Sequence, residues 1–168
     1  PAIKPLKDEY KLAGRAFTVK IPVGENLSVL KAISEAKPSD ILVVDAKGDQ
    51  YRAIAGDFVV GMAQTLGIGG LVVDGVIPDI AGVKALNYPV FSRGTTVAAS
   101  GKAGVGEVNV PISCGGAPVN PGDIIVGDAD GVVVIPQEME QEILANSLAK
   151  MKKDEVREKS ISGNPEAK

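Results

Sequence analysis

The residues whose types and spacing could do chemistry lie in one part of the chain. Gly56 and Asp57 open a predicted helix, so the segment Gly56-Asp57-Phe58-Val59 would offer free backbone N–H groups to an anion. Asp79 opens the next predicted helix, and its carboxylate could hold a divalent cation through oxygen ligands and water. Asp is also a favoured helix cap, so a purely structural role for Asp79 stays open.

Composition limits which chemistry is possible. The chain has no histidine, which excludes Ser-His-Asp triads, His-ligated metals and phosphohistidine carriers. Acid–base work would fall to carboxylates, Lys, Tyr, Cys or metal-bound water. The net charge of −3 argues against a sequence-independent grip on nucleic acid. No apolar run reaches the roughly 18–20 residues of a membrane span. The single cysteine rules out an intrachain disulfide and fits a reducing compartment, so we expect a cytoplasmic protein.

The elements that must position these residues alternate between strand and helix. The hydrophobic pattern predicts, in order, a strand at 16–21, a helix to about 36, strands at 41–44 and 51–55, a helix at 56–66, a strand at 71–73, a helix at 78–86 and a strand at 90–91. This order indicates parallel crossovers. Ligands of open α/β sheets bind beyond the carboxyl ends of strands, so both loops could face one crevice.

After Arg93 the pattern becomes rich in strands. Short strands are predicted at 104–110, 112–114, 124–126 and 132–135, separated by Gly, Pro and Asp turns, and a final helix at 137–159. We find no repeat and no linker that would split the chain. The sequence therefore predicts a single domain over 1–160, followed by a frayed tail at 161–168.

Two other residues have plainer interpretations. Cys114 lies in an apolar strand and is interpreted as a buried structural thiol instead of a nucleophile. Asp74 precedes Gly75 at a predicted strand end, which is typical of a turn, although a supporting role beside the site stays open.

The segment 56–96, GDFVVGMAQTLGIGGLVVDGVIPDIAGVKALNYPVFSRGTT, resembles the RraA-like family. That family includes the 4-hydroxy-4-methyl-2-oxoglutarate aldolases and the regulators of ribonuclease activity. The resemblance extends through AKPSDILVVDAKGD and GEVNVPISCGGAPVNPGDIIVGDADGVVVIP, and so covers nearly the whole chain. It implies an α/β fold: a three-layer β/β/α domain of the swivelling type, with a parallel βαβαβ half and a strand-rich second half. It also implies a homotrimer or hexamer. Longer members carry an N-terminal helix before this point, so we expect a segment to be missing before Pro1.

The resemblance further implies a mechanism. In aldolase members a divalent metal, Mg²⁺ or Mn²⁺, is held by the Asp of an Arg-Asp pair, and that Arg neutralises the developing pyruvate enolate. The pyruvyl carboxylate binds the amides of a Gly-Asp/Glu-x-x loop. Carried over, Asp79 is the metal ligand, and the substrate-binding loop is Gly56, Asp57, Phe58 and Val59. Asp57 is also assigned a catalytic role.

Position 78, in the substrate-binding region, departs from the family pattern because it is Pro and not Arg. Proline has no charge and no N–H to offer an oxyanion. The loss of such charge stabilisation could cost about 10²–10³ in rate. Either catalysis is lost or another cation serves. Arg93, at the end of the next strand, is the catalytic candidate, although a surface or interface arginine is the plainer interpretation.

Three functions remain open. The first is a metal-dependent lyase that cleaves pyruvyl-containing oxo-acids by retro-aldol reaction or decarboxylates them in the manner of oxaloacetate decarboxylase. The second is a non-catalytic protein that binds a ribonuclease or another partner. The third binds a small carboxylate without turnover. Pro78 favours the second and third, whereas the Gly56-Asp57 loop and Asp79 favour the first and third. We take the lyase as the leading hypothesis.

Overall fold

The computed structural model describes residues 2–162. The chain divides into two compact units, one bounded by residues 1 and 134 and the other by residues 135 and 168. The strands, in chain order, are β1 (Lys4–Pro5), β2 (Leu12–Lys20), β3 (Ile41–Ala53), β4 (Gly70–Ile77), β5 (Val90–Ser92), β6 (Gly94–Thr95), β7 (Glu107–Val108), β8 (Ile112–Cys114), β9 (Ala117–Val119), β10 (Ile124–Asp128) and β11 (Gly131–Ile135). The helices of the first unit are α1 (Leu27–Glu35), α2 (Asp57–Thr65) and α3 (Ile80–Ala85).

A parallel centre organises the main sheet, as the sequence predicted. Strand β3 pairs in parallel with β2 and β4, and β4 pairs in parallel with β5. The main path runs β1-β5-β4-β3-β2-β10-β11, with β6 paired to β4 and β7 paired to β2, and β8 and β9 form a separate hairpin. Lys4 Nζ donates to the Asp130 carbonyl at 2.6 Å and so links the first strand to the turn between β10 and β11. The sheet is therefore nearly closed.

Strand β3 shows why the domain has three layers. Leu42 and Val44 pack in a cluster with residues of α1, α2 and α3. Ile41 and Val43 belong to a second cluster, on the other face, with residues of β8, β9 and β10. Successive side chains of a strand point to opposite faces, and a parallel strand covered on both faces is apolar throughout. The predicted α/β fold with helices on one side and short strands on the other is confirmed.

Strand β3 also differs from its prediction, because one strand replaces the two expected at 41–44 and 51–55. Its pairing with β4 shifts register between Val44 and Asp49. Lys47 and Gly48 both have positive φ, at 59° and 69°, and they fall inside this shift. The Lys-Gly-Asp segment reads locally as a turn, but here it is an irregularity within a continuing ladder.

Strand β4 runs to Ile77, further than the predicted 71–73, and all eight of its residues are buried. Asp74 therefore lies in the middle of a strand and not at its end. Conversely, the strand predicted at 104–110 is reduced to β7, two residues long. Pairing with β3 and β6 carries β4 through Asp74 and Gly75 to Ile77, against the local Gly and Asp signals.

The second unit is helical. A short 3₁₀ helix (Gln137–Met139) is followed by α4 (Glu140–Ile161), close to the predicted 137–159, and no residue of α4 is buried. The predicted frayed tail, 161–168, begins at the last residue of α4, and its residues 163–168 lie outside the described part of the chain. Among residues 2–162, no helix has both the length and the apolar character needed to cross a membrane.

Candidate active site

Four segments converge on a cleft of about 280 Å³ in the first unit. Residues 53–59 contribute the end of β3 and the start of α2, Pro78 and Asp79 lie between β4 and α3, Asn26 precedes α1, and Ala99, Ser100 and Lys102 belong to the loop after β6. The structure thus brings together six residues singled out from the sequence: Gly56, Asp57, Phe58, Val59, Pro78 and Asp79.

Backbone amides at the start of α2 are open to a ligand. Gly56 is the N-cap residue and has an extended backbone, with φ −85° and ψ −176°. The Phe58 amide donates to Asp57 Oδ1 at 2.7 Å. The amides of Asp57 and Val59 donate to no acceptor within residues 2–162. These two N–H groups lie at the positive end of a helix dipole, where a carboxylate is stabilised.

Asp79 occupies the N-cap position of α3, yet its side chain makes no capping hydrogen bond. Its backbone is left-handed, with φ 56° and ψ 36°. Such a conformation costs a non-glycine residue on the order of 1 kcal/mol or more, and it is concentrated at functional sites. The carboxylate lies over Gly56, where an added Cβ would overlap Asp79 Oδ2. The Asp79 side chain therefore does not act as a helix cap, and its carboxylate is available to bind a ligand in the cleft.

The donor chemistry fits a hydrated divalent cation better than a fully caged one. Within the described residues, no group of three or more Asp, Glu, Cys or His side chains is placed to hold a metal ion. The Asp57 carboxylate packs over α3, where a Cβ added to Gly82 would come 2.5 Å from Asp57 Oδ2. A cation at Asp79 would therefore take most of its ligands from water and substrate oxygens, as Mg²⁺ commonly does.

Arg93 does not line this cleft. Its Nε donates to Asp74 Oδ1, and the other oxygen of Asp74 accepts a hydrogen bond from the Gly115 amide at 2.8 Å. Asp74 is almost fully buried and the Arg93 side chain largely so. This pair joins β4, the β5–β6 connection and the β8–β9 hairpin. Asp74 thus has a tertiary partner in place of the turn role that the sequence favoured.

Lys102 lines the cleft and was not singled out from the sequence. Of the cleft-lining residues in the described part of the chain, it alone carries a positive charge. The only feature of the sequence that could have pointed to it is that it is a single lysine in a run of small residues, Ser100-Gly101-Lys102-Ala103-Gly104. What brings it here is long-range pairing: the Ala53 amide donates to the Ala98 carbonyl and the Gly101 amide to the Gly24 carbonyl, both at 2.8 Å.

Cys114 is a buried thiol, as the sequence predicted. Burial raises its pKa to about 12, the charges of Asp74 and Asp45 add to this rise, and Arg93 opposes it. A thiol with such a pKa is protonated at neutral pH and is a poor nucleophile. It borders a second cavity, of about 230 Å³, whose other lining residues are apolar or glycine. That cavity lacks the charged groups of the first cleft.

Comparison with known proteins agrees with this architecture. The family model for RraA-like proteins, described as Aldolase/RraA, matches residues 1–134, the same bounds as the first compact unit. A protein of Halalkalibacterium halodurans, provisionally named as a 4-hydroxy-4-methyl-2-oxoglutarate aldolase, is 60% identical over 162 residues, which cover 96% of this chain and 77% of the relative.

Two solved structures share the fold. RraAS2 of Streptomyces coelicolor, described as an unusual member of the RNase ES inhibitor RraA family, has a TM-score of 0.87 and 31% identity over 95% of this chain and 83% of its own. The RNA-processing inhibitor RraA of a Thermus species has a TM-score of 0.75 and 29% identity over 81% and 82%. The resemblance seen in the sequence is confirmed: the chain belongs to the RraA-like family.

Proposed function

We propose that this protein is a divalent-metal-dependent lyase that cleaves or decarboxylates pyruvyl-containing oxo-acids. One observation carries the proposal, which is that three kinds of group line a single cleft. They are the unpaired backbone amides of Asp57 and Val59, the carboxylate of Asp79, which makes no helix-capping hydrogen bond and whose backbone is strained, and the positive charge of Lys102. An oxo-acid has a carboxylate for the amides and a carbonyl oxygen on which negative charge develops. The provisional aldolase name of the Halalkalibacterium relative supports the same reaction class.

Each group has a distinct task in this proposal. The amides of Asp57 and Val59 bind the substrate carboxylate and so fix the position of the adjacent carbonyl group. Asp79 would hold Mg²⁺ or Mn²⁺, which when bound acts as a Lewis acid toward the carbonyl oxygen. Lys102 stabilises the negative charge that develops on that oxygen in the transition state.

Lys102 takes the place that the family pattern assigns to an arginine at position 78. Arg93, the candidate from the sequence, is held in an ion pair with buried Asp74 and lies outside the cleft, which favours Lys102 over it. A lysine supplies a mobile point charge in place of the planar fork of an arginine. We therefore expect turnover to be slower than in members that carry the Arg-Asp pair.

The test is a pyruvate-release assay on 4-hydroxy-4-methyl-2-oxoglutarate and on oxaloacetate, with Mg²⁺, with Mn²⁺ and with excess EDTA. We expect release that depends on the metal and falls by about 10²-fold in Lys102→Met. Lys37→Met, which removes an exposed lysine outside the cleft, is the matched control and should behave as wild type. Release that persists in EDTA would contradict the proposal.

A second candidate function follows from Pro78 together with the two solved RraA structures. Without the family arginine the chain could bind a small carboxylate without turnover, or could act through a protein partner such as a ribonuclease. The two names support the partner, since each describes an inhibitor of RNA processing or of a ribonuclease, or a member of its family. Wild-type protein that binds Mg²⁺ and oxalate but releases no pyruvate, and that inhibits a purified ribonuclease at stoichiometric ratio, would favour this candidate.

We also propose a homotrimer or hexamer acting in the cytoplasm, with no direct role for nucleic acid. Large apolar side chains are exposed: Phe58, which lines the cleft, is 75% exposed and Tyr51 is 70% exposed. Exposed apolar surface of this kind is commonly covered by assembly.

A further inference from the structure

We propose that Glu25 is a positioning residue that holds Lys102 at the cleft; this inference rests on the role proposed above for Lys102. Glu25 precedes α1 and does not line the cleft itself. Its effect passes through the loop of residues 98–106, which carries Lys102.

This loop is fixed to the residues before α1 by backbone pairing. Glu25 and Gly101 form a parallel bridge, in which the Gly101 amide donates to the Gly24 carbonyl at 2.8 Å and the Asn26 amide donates to the Gly101 carbonyl at 3.2 Å. Gly101, the residue immediately before Lys102, is therefore held through both its backbone N–H and its carbonyl group.

The Glu25 side chain fixes the residue immediately after Lys102. Its Oε2 accepts a hydrogen bond from the Ala103 amide at 2.9 Å. A hydrogen bond to an ionised carboxylate is stronger than one between neutral groups. Lys102 thus lies between two anchored neighbours, and without Glu25 only one of them remains.

Two glycines show that the loop is folded closely around this carboxylate. A Cβ added to Gly104 would come 2.7 Å from Glu25 Cγ, and a Cβ added to Gly101 would overlap Glu25 Oε1. Any larger residue at either position would push the Glu25 side chain away. Glycines also leave a loop free to move where side-chain anchors are absent, so the Glu25 carboxylate adds an anchor at residues 103 and 104, beyond the backbone pairing of Gly101.

The chemical consequence concerns the charge on Lys102. A lysine side chain is long and rotates freely, so the place of its ammonium group depends on a fixed backbone. Charge stabilisation requires that the group already stand where the negative charge develops. Glu25 supplies that fixed backbone from outside the cleft.

A double-mutant cycle tests the inference, with kcat and KM for oxaloacetate measured in Glu25→Ala, Lys102→Met and the double variant. We expect Glu25→Ala to lower kcat by about tenfold or more, with a smaller change in KM, since displacement of about 1 Å at a catalytic group can cost this much. The double variant should be no slower than Lys102→Met within about twofold, because the two changes remove one interaction.

Two further variants separate positioning from general loosening. Glu25→Gln keeps an oxygen acceptor for the Ala103 amide and should restore most of kcat. Ser28→Ala removes the hydrogen bond from the Gly106 amide to Ser28 Oγ, 2.7 Å long and four residues beyond Lys102, and should leave kcat within about twofold of wild type. Amide hydrogen exchange of residues 98–104 should be faster in Glu25→Ala and close to wild type in Glu25→Gln.

The outcomes separate this inference from the proposed function. Unchanged exchange at 98–104 in Glu25→Ala overturns the inference whatever the activity, as does additivity of the two substitutions in kcat. If wild type releases no pyruvate, the lyase proposal fails while the exchange experiment still decides whether Glu25 anchors the loop. The cycle is then measured on the dissociation constant of oxalate in the presence of Mg²⁺, and additivity there overturns the inference equally.

Discussion

At the scale of single residues, Asp79 combines two features that a structural cap would not need. Its backbone is left-handed, and its carboxylate makes no capping bond but lies over Gly56. Asp tolerates this conformation better than most residues, though less well than glycine. The folded state thus bears a local cost in order to place one carboxylate at the cleft, which is the pattern expected of a ligand-binding residue.

Substitution of Asp79 should separate binding from stability. Asp79→Gly relieves the backbone strain, whereas Asp79→Ala keeps a Cβ in the left-handed region. We therefore expect the Gly variant to be the more stable of the two by about 1 kcal/mol in thermal unfolding. Both should lose metal-dependent oxalate binding in titration calorimetry. Unchanged oxalate affinity in both variants would show that Asp79 serves the fold alone.

Pro78 and Lys102 line the same cleft, so charge at one position should compensate for its loss at the other. We expect Pro78→Arg, introduced into Lys102→Met, to recover about tenfold or more of the lost pyruvate release, because a fixed cation again faces the developing oxyanion. Pro78 precedes the N-cap of α3 and so lies outside that helix. A cation near the helix start should cost only about 0.3–1 kcal/mol of stability.

The control for this pair is Pro78→Ala in the same Lys102→Met background, which removes the ring without adding charge. Recovery by Ala as well as by Arg would mean that backbone freedom, and not charge, limits the reaction. Failure of Arg to recover activity while Mg²⁺ and oxalate still bind would favour the second candidate function.

At the scale of elements, the site depends on the close approach of two helix starts. Gly56 before α2 and Asp79 before α3 meet without space for a Cβ between them. Gly82 makes a similar approach, because the Asp57 side chain lies where its Cβ would be. The glycines therefore set how near α2 and α3 come to each other at the cleft.

Two glycine substitutions, one at the N-cap of α2 and one inside it, should have different effects. Gly56→Ala should displace Asp79 and weaken metal-dependent oxalate binding by about tenfold or more, since a misplaced ligand loses most of its contribution. Gly61→Ala, inside α2, would meet only Leu86 at an ordinary 3.9 Å. It should leave binding unchanged and stabilise the fold by about 0.5–1 kcal/mol, as alanine is the better helix former. Calorimetric titration and urea unfolding measure the two effects.

At the scale of the whole molecule, buried groups should make the fold sensitive to alkaline pH. Burial raises the pKa of Cys114 from 9.0 to about 12, and it raises the pKa of Tyr88 as well. Between pH 9 and about pH 12, the Cys114 thiol is deprotonated in the unfolded chain but still protonated in the folded chain. Stability must therefore fall as pH rises from about 9 toward 12, by up to about 1.4 kcal/mol per pH unit for Cys114.

Urea unfolding at several pH values between about 8 and 10.5 checks this sign. The Cys114→Ala variant should show a shallower decline, because the buried thiol no longer contributes, even though its absolute stability is also lower. Parallel declines in the variant and in wild type would show that Cys114 ionises alike in the folded and unfolded states.

Assembly is the remaining expectation at this scale. A homotrimer or hexamer would cover exposed apolar side chains, and Phe58 and Tyr51 are the residues on which to test this. Light scattering at micromolar concentration should give three or six times the chain mass of 17.3 kDa. Phe58→Asp should shift the population toward smaller species, because it places a charge in a surface that assembly would dehydrate. A stable monomer in wild type would contradict the expectation.

The sequence by itself predicted the parallel half of the sheet and the two helix starts at Gly56 and Asp79, while the binding roles proposed for these residues came from the resemblance to the RraA-like family. These features have short-range signals: hydrophobic spacing predicts the strands and helices, and Gly-Asp and Pro-Asp mark helix starts. Crossover connections between parallel strands then place both starts at one edge of the sheet. The sequence alone therefore predicts that Gly56 and Asp79 face one crevice.

The tertiary structure decided which cation reaches that crevice. Arg93 is the more obvious candidate in the sequence because it directly follows a predicted strand, yet it is bound by buried Asp74 outside the cleft. Lys102 has almost no signal, since its loop is held at the cleft by pairing with Gly24, Glu25 and Ala53, which lie far away in the sequence. Helices and strands are set by neighbours along the chain, whereas the course of a glycine-rich loop is set by whichever distant groups satisfy its backbone hydrogen bonds.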